Sequence, residues 1–339
     1  MRPIVLPPNG IERFYLGGPA IAALRGTEPP GARVPEDWVG STTTVFGQEE
    51  LGLSRLPGGE LLRDAIAADP DVFLGPGHAA RHGADPALLV KLLDAGQRLP
   101  VHVHPDGPFA GAALGTPYGK TEAWIVIGAS APDALVHVGF REDVSAETLE
   151  RWVDEQDHAA MLGALNPAPV GPGDTLFVPA GVPHAIGEGL LIVELQEPTD
   201  LSILLEWRGF GIDDTQEATL GLGWERALEC VDRSGVELAA LRGPPPDGPV
   251  APLLPSEADP FFRAERVAPA PEAEIDPGFA VLVVLDGHGT LEPEDGEPVE
   301  LRRGDTLLLP HGAGRCRVSG EVVLIACRPP ASDVSGAGA

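Results

Sequence analysis

Lysine is almost missing from this 339-residue chain, with Lys91 and Lys120 its only two. Cysteine is scarce as well. Cys230, Cys316 and Cys327 make an odd number without a CxxC pair, and a chain this long folds without staples. A reducing, cytoplasmic setting is therefore expected. No stretch approaches the roughly 18 to 20 apolar residues of a membrane span. The opening MRPIVLPPNGIERFYLGG holds no apolar run of signal-peptide length. Basic charge is also short, with 23 Lys and Arg against 51 Asp and Glu and a formal net charge of −28. Without clustered basic residues, nucleic acid and anionic membrane surfaces are excluded as partners. A small anionic ligand is not excluded, because surface charge is screened over roughly 8 Å and a pocket can be locally positive.

What is present reads as a globular β protein. Apolar residues make up 43% and charged residues 22%, while 43 glycines and 37 prolines indicate many turns and short strands. The length predicts two domains. Strand patterns occur at Leu99-Pro-Val-His-Val-His104, Ala123–Ile127, Ala134–Val138, Thr175–Val178 and Leu190–Leu195. They recur at Phe279–Leu285 and Thr306–Leu309. Helices are predicted from Ser145, a cap for a face of Leu149, Trp152 and Val153, and at Trp224, Leu228 and Val231. A shorter one is expected over Glu60–Ala67. The helices at about 141–165 and 215–235 are read as insertions in a β domain covering residues 1–242. The Pro-rich stretch 243–260 is expected to be a linker, 261–333 a second domain, and the small polar tail to residue 339 a frayed end.

A repeat supports two related domains. Gly173-Asp-Thr-Leu-Phe-Val-Pro-Ala-Gly181 matches Gly304-Asp-Thr-Leu-Leu-Leu-Pro-His-Gly312. In that register His184 of the first copy falls on Arg315 of the second, which also has no HxH ahead of it. One domain able to hold a metal and one metal-free domain are expected.

The chemistry concentrates in the first copy. In Val101-His102-Val-His104, residues two apart on a strand point to one face, so both imidazoles can meet one ion. Glu122 follows a turn-rich connection at the start of the next strand. The turn Pro179-Ala-Gly181-Val-Pro returns His184 toward the first pair. His102, His104, Glu122 and His184 make a divalent-metal site suited to zinc, manganese, iron(II) or nickel. The other six histidines lack such partners.

The pattern G-x5-HxH, a later Glu, then G-x5-PxGxxH resembles the two motifs of the cupin superfamily. Glu36-Asp-Trp38-Val-Gly-Ser41, Leu89-Val-Lys91-Leu-Leu-Asp94, Gly119-Lys-Thr-Glu-Ala-Trp124, Val178-Pro-Ala-Gly-Val-Pro-His-Ala185 and Val193-Glu-Leu-Gln196 narrow it. In that order they resemble the type I mannose-6-phosphate isomerases, most sharply over residues 36 to 200. The resemblance implies a mainly β bicupin, two double-stranded β-helix (jelly-roll) barrels with α-helical insertions. It also implies one zinc ion and interconversion of mannose 6-phosphate and fructose 6-phosphate. His102 falls where the family usually has glutamine. Leu204 stands where it has a catalysis-associated arginine, and Arg208 is the candidate substitute if the strand continues.

Such an isomerisation moves a proton between C1 and C2 through an enediol, with a metal stabilising the developing charge and a base shuttling the proton. Lys120 and Glu194 are the candidates to shuttle or polarise, with Arg208 as the third catalytic candidate. Lys91, Lys120 and Arg208 are the expected cations for a phosphorylated sugar. Trp38 and Trp124 are expected to pack the barrel. Two other readings follow from the two departures: an iron(II)-dependent cupin oxygenase, from the three-His-one-Glu set, and a non-catalytic sugar- or sugar-phosphate-binding bicupin, from Leu204.

Overall fold

The computed structural model describes residues 1–131, 133–212 and 215–331. The tail expected to fray lies outside the described residues. The fold is mainly β, as expected, with short helices set around antiparallel sheets.

Two sheets form the first half. A six-stranded sheet runs Gly10–Ile11, Glu36–Val39, Leu89–Asp94, Leu190–Gln196, Glu122–Ala129 and Thr175–Val178 in spatial order. A five-stranded sheet runs Ile203–Leu204, His102–Val103, His184–Ile186, Leu135–Phe140 and Leu165–Pro169. Their facing sides share one core, in which Trp124, Val126 and Ile192 from the first sheet meet Val136, Val138 and Ile186 from the second.

The six-stranded sheet is buried on both faces, which is why its strands read as nearly continuous apolar runs. Alternate residues Ala123, Ile125, Val193 and Leu195 point away from the first core, into a second one. There they meet Val281, Leu308 and Ile325 of the C-terminal half and Leu62 and Phe73 of the short helices. The same period of two sets Glu36, Lys91, Glu122 and Glu194 on the inner face. Four ionisable side chains thus enter one barrel.

The C-terminal half is an eight-stranded sheet carrying its own core of Leu282, Val284, Leu307, Leu324 and neighbours. Ile4–Val5 pairs with Thr306–Leu309 at its edge, so the start of the chain completes the later sheet. The sequence repeat is a structural one. Asp174 accepts the Gly171 N–H at 2.8 Å and Asp305 accepts the Arg302 N–H at 2.9 Å, and the glycine before each has positive φ, 100° and 89°. Each aspartate closes the same turn into its strand. Arg315, at the repeat position of His184, is half-exposed and pairs with Glu274 and Asp276.

Several elements differ from expectation. Only His102–Val103 of the run Leu99–His104 is a strand, because Pro100 and Pro105 have no N–H to give the ladder. The Trp224 helix is a single turn, Trp224–Ala227, tightening to a 3-10 turn over Leu228–Cys230. Trp224, Leu228 and Val231 still share one cluster with Leu149 and Val153. Within the stretch expected as linker, Val250–Pro252 is a strand paired with Arg263–Val267. The Ser145 helix forms as read, its cap accepting the Thr148 N–H at 3.2 Å.

Candidate metal centre

His102 and His184 are direct cross-strand partners in the five-stranded sheet. His104 lies just past the strand end, where the Gly181 N–H donates to its carbonyl at 2.7 Å. Gly181 has φ 86°, the left-handed conformation the returning turn requires. From the facing sheet comes Glu122. Gly119 lets that segment in: a Cβ there would stand 2.6 Å from the Pro105 carbonyl oxygen. The Lys120 N–H donates to that same carbonyl at 3.0 Å, which seats Lys120 and Glu122 beside the histidines.

All three imidazoles are oriented alike. Nδ1 of His102, His104 and His184 lies 2.8, 2.7 and 2.8 Å from the carbonyls of Pro100, Leu201 and Val182. A carbonyl only accepts, so Nδ1 carries the proton and Nε2 is left as a lone pair. Burial, with His184, His104 and Lys120 adding to it, pushes His102 well below the usual imidazole pKa. Burial and Lys120 push His104 down to about 3. The ligating atoms of the three rings lie within 4.8 Å of one another.

Glu122 completes the cluster. Its Oε2 is 3.0 Å from His104 Nε2 and its Oε1 is 3.3 Å from His184 Nε2. Its burial favours the neutral acid, but Lys120 and His104 outweigh this and hold the carboxylate well below its usual range. Two kinds of acceptor therefore face each other, neutral Nε2 atoms and carboxylate oxygens. His184 Nε2 is buried with no hydrogen-bond partner. A divalent cation is the group that such a donor set fits. All four residues expected as ligands are thus brought together. Trp124, fully buried as expected of a packing residue, also donates its indole N–H to Glu122 Oε1 at 2.8 Å.

The other expected residues divide. Lys120 Nζ stands 2.9 Å from His104 Nε2 and 3.0 Å from Glu122 Oε2. Glu194 is buried, and its Oε1, 3.3 Å from Lys91 Nζ, has no hydrogen-bond partner. Desolvation raises its pKa against the pull of Lys91, with Glu122 adding to the rise. Lys91 is 2% exposed and sits between Glu194 and Glu36, with Trp38 below it at 4.9 Å. Its charge is committed to those carboxylates. Arg208 is not brought to the cluster. The strand ends at Leu204, the chain turns, and the exposed Arg208 lies over the Trp207 ring.

Sequence reading missed Arg13 and Asp200 as members of the site. Arg13 Nη1 and Nη2 donate to Asp200 at 2.9 and 3.1 Å, and Arg13 Nε is 3.5 Å from Glu36. Burial works against the Arg13 charge, but Asp200 and Glu36 raise its pKa above the usual arginine value. Glu36 is held down to about 2 because Lys91 and Arg13 outweigh its burial. It accepts from Tyr15 Oη and, at 2.6 Å, from Trp38 Nε1. An inner cavity of about 40 Å³ is walled by Arg13, Lys91, His102, Lys120, Glu194 and Asp200, among others. A wider one of about 550 Å³ shares Arg13, Phe14, Asp200, Ser202 and Leu204 with it.

A mannose-6-phosphate isomerase of Streptococcus mutans serotype c is 30% identical over 243 residues, covering 70% of this chain and 73% of that protein. The chain belongs to the mannose-6-phosphate isomerase family. GmuF of Bacillus subtilis, described as a probable mannose-6-phosphate isomerase, is 31% identical over 230 residues and covers 68% of each chain. A cupin family model matches residues 253–332, so it falls on the C-terminal barrel and not on the one with the histidines. The fold also matches the crystal structure of a B. subtilis mannose 6-phosphate isomerase, with a TM-score of 0.77, 24% identity and coverage of 97% of this chain and 100% of that one. Among the described residues, no helix is long and apolar enough to cross a membrane.

Proposed function

We propose that this chain is a metal-dependent aldose–ketose isomerase of phosphorylated sugars, interconverting mannose 6-phosphate and fructose 6-phosphate in the cytoplasm. The observation that carries the reading is the cluster itself. Three imidazoles, each held through Nδ1 by a carbonyl, and one carboxylate form it, and His102 and the buried Glu194 wall a small cavity, in a chain of this family. Zinc suits this donor set, and manganese, iron(II) and nickel are the other candidates. Held by His102, His104, Glu122 and His184, the metal would supply Lewis acidity toward the sugar's carbonyl and hydroxyl oxygens.

The chain's own residues carry the proton. Glu194 Oε1 takes the proton from C2 of the open-chain aldose and returns it to C1 through an enediol, while the hydroxyl proton of O2 passes to O1. Burial raises its pKa above the usual carboxylate value, in the direction a group needs if it is to accept a proton as well as release one. Lys120 stands on the metal side of the cavity and holds Glu122 in place. Lys91 holds Glu194 at 3.3 Å and fixes its aim.

A coupled assay for fructose 6-phosphate, run on zinc-loaded and chelator-stripped protein, tests this. Zinc-dependent turnover that is lost in Glu122→Gln and in His184→Ala is the expected result. No turnover with zinc, manganese or iron(II) would sink the isomerase reading and leave the chain a sugar-binding member of the family.

A further inference from the structure

Among the described residues, Arg13 is the only Lys, Arg or His side chain in the wall of the wide outer cavity. It also walls the inner cavity together with His102, Lys120 and Glu194. The two lysines there are engaged with carboxylates of the cluster. Leu204, in both walls and the direct cross-strand partner of His102, offers only an apolar surface.

We infer that Arg13 is a catalytic residue, donating hydrogen bonds from its guanidinium to the substrate's oxygens at the reacting end, with Asp200 as the residue that positions it. The inference rests on the isomerase reading above. An arginine has five N–H donors. Two go to Asp200 and Nε faces Glu36 at 3.5 Å, which leaves one N–H on each of Nη1 and Nη2. The side chain is 14% exposed, enough to be reached and too little to wander. The two-point contact fixes the plane of the guanidinium, so its remaining donors are aimed before any ligand arrives. Asp200 also accepts the Phe46 N–H at 3.3 Å, which ties the same carboxylate to a loop in the wall of the outer cavity. A developing negative charge on the sugar oxygens would meet a fixed positive group in the wall that Arg13 shares with His102.

The test compares wild type, Arg13→Ala, Arg13→Lys and Asp200→Asn for kcat, KM and bound zinc, with guanidinium ion added to the alanine variant. Removing one such preorganised donor costs about 100- to 1,000-fold in kcat. Arg13→Ala is expected to lose that much with zinc content and KM little changed, to recover in part with added guanidinium, and to exceed neither Arg13→Lys nor Asp200→Asn in activity. An unchanged kcat overturns the assignment, as does a rise in KM alone, which would put Arg13 on a remote part of the substrate. Loss of zinc with unchanged turnover per bound metal overturns it too, in favour of a structural part. Wild type without turnover fails the isomerase reading itself and removes this assignment with it. Wild type with turnover and an undiminished Arg13→Ala fails the assignment alone.

Discussion

The indole N–H of Trp124 meets Glu122 Oε1 at 2.8 Å, from the next inward position of the same strand. Two residues apart on a strand, the two side chains share a face, and the larger steadies the smaller. Trp38 does the same for Glu36 in the strand Glu36–Val39. Each tryptophan packs the barrel, as its sequence context suggested, and each also orients a carboxylate.

Trp124→Phe keeps most of that packing and removes the hydrogen bond. Outer hydrogen bonds of this kind typically account for about 10- to 100-fold in metal affinity. Zinc affinity, measured by competition with a chelator, is expected to fall by that factor while the folded state survives. Unchanged affinity would mean that the histidines alone fix the position of Glu122.

Lys91 is fully enclosed with Glu36 and Glu194. Breaking a buried ion pair by removing one partner costs about 3–5 kcal/mol, because a charge is left without compensation. Lys91→Met should lose that much in urea unfolding of the zinc-loaded protein. Adding Glu194→Gln should recover part of it. A double variant no more stable than the single one would locate the cost in packing instead.

Both His102 and His104 have pKa values pushed below the ordinary 6.5, the latter to about 3. A depressed folded-state pKa means that the unfolded chain binds protons first as pH falls. The stability is intact above about 6.5 and is lost progressively between there and about 3. Chelator-stripped protein should therefore show a melting temperature that declines on acidification below 6.5, and zinc-loaded protein should release its metal as pH falls. A flat profile down to pH 4 would contradict neutral, buried imidazoles.

Arg208→Ala touches an exposed side chain over Trp207 and no wall of the inner or outer cavity. Stability is expected to stay within about 0.5 kcal/mol, and kcat/KM to remain as in the wild type. A large loss of kcat/KM in a steady-state assay would bring Arg208 back to the substrate.

The four residues of the His–Glu cluster were legible because each motif is local. HxH sits on one strand face, and PxGxxH is a turn with fixed reach. Glu194 and Lys120 were legible as neighbours of those motifs. Arg13 was not, since its meaning depends on Asp200, 187 residues away, and a lone arginine in Ile-Glu-Arg-Phe-Tyr has no period or spacing. Arg208 was mislaid for a related reason: even spacing carries a residue to a face only while the strand lasts, and Ile203–Leu204 ends too early. The strand at Val250–Pro252 hid within prolines, because an edge strand accepts them where a central one does not.

The edge formed by Ile4–Val5 has a bearing on how the chain is made. Its partner strand, Thr306–Leu309, lies some 300 residues downstream. At translation rates of about 5–20 residues per second, Ile4–Val5 waits on the order of 15–60 s for Thr306–Leu309 to emerge. Through that interval the outward face of the six-stranded sheet also lacks Val281, Leu308 and Ile325, its covering layer. A nascent chain of this design carries that apolar surface until Val281, Leu308 and Ile325 have been made, and a truncation ahead of them leaves it bare for good.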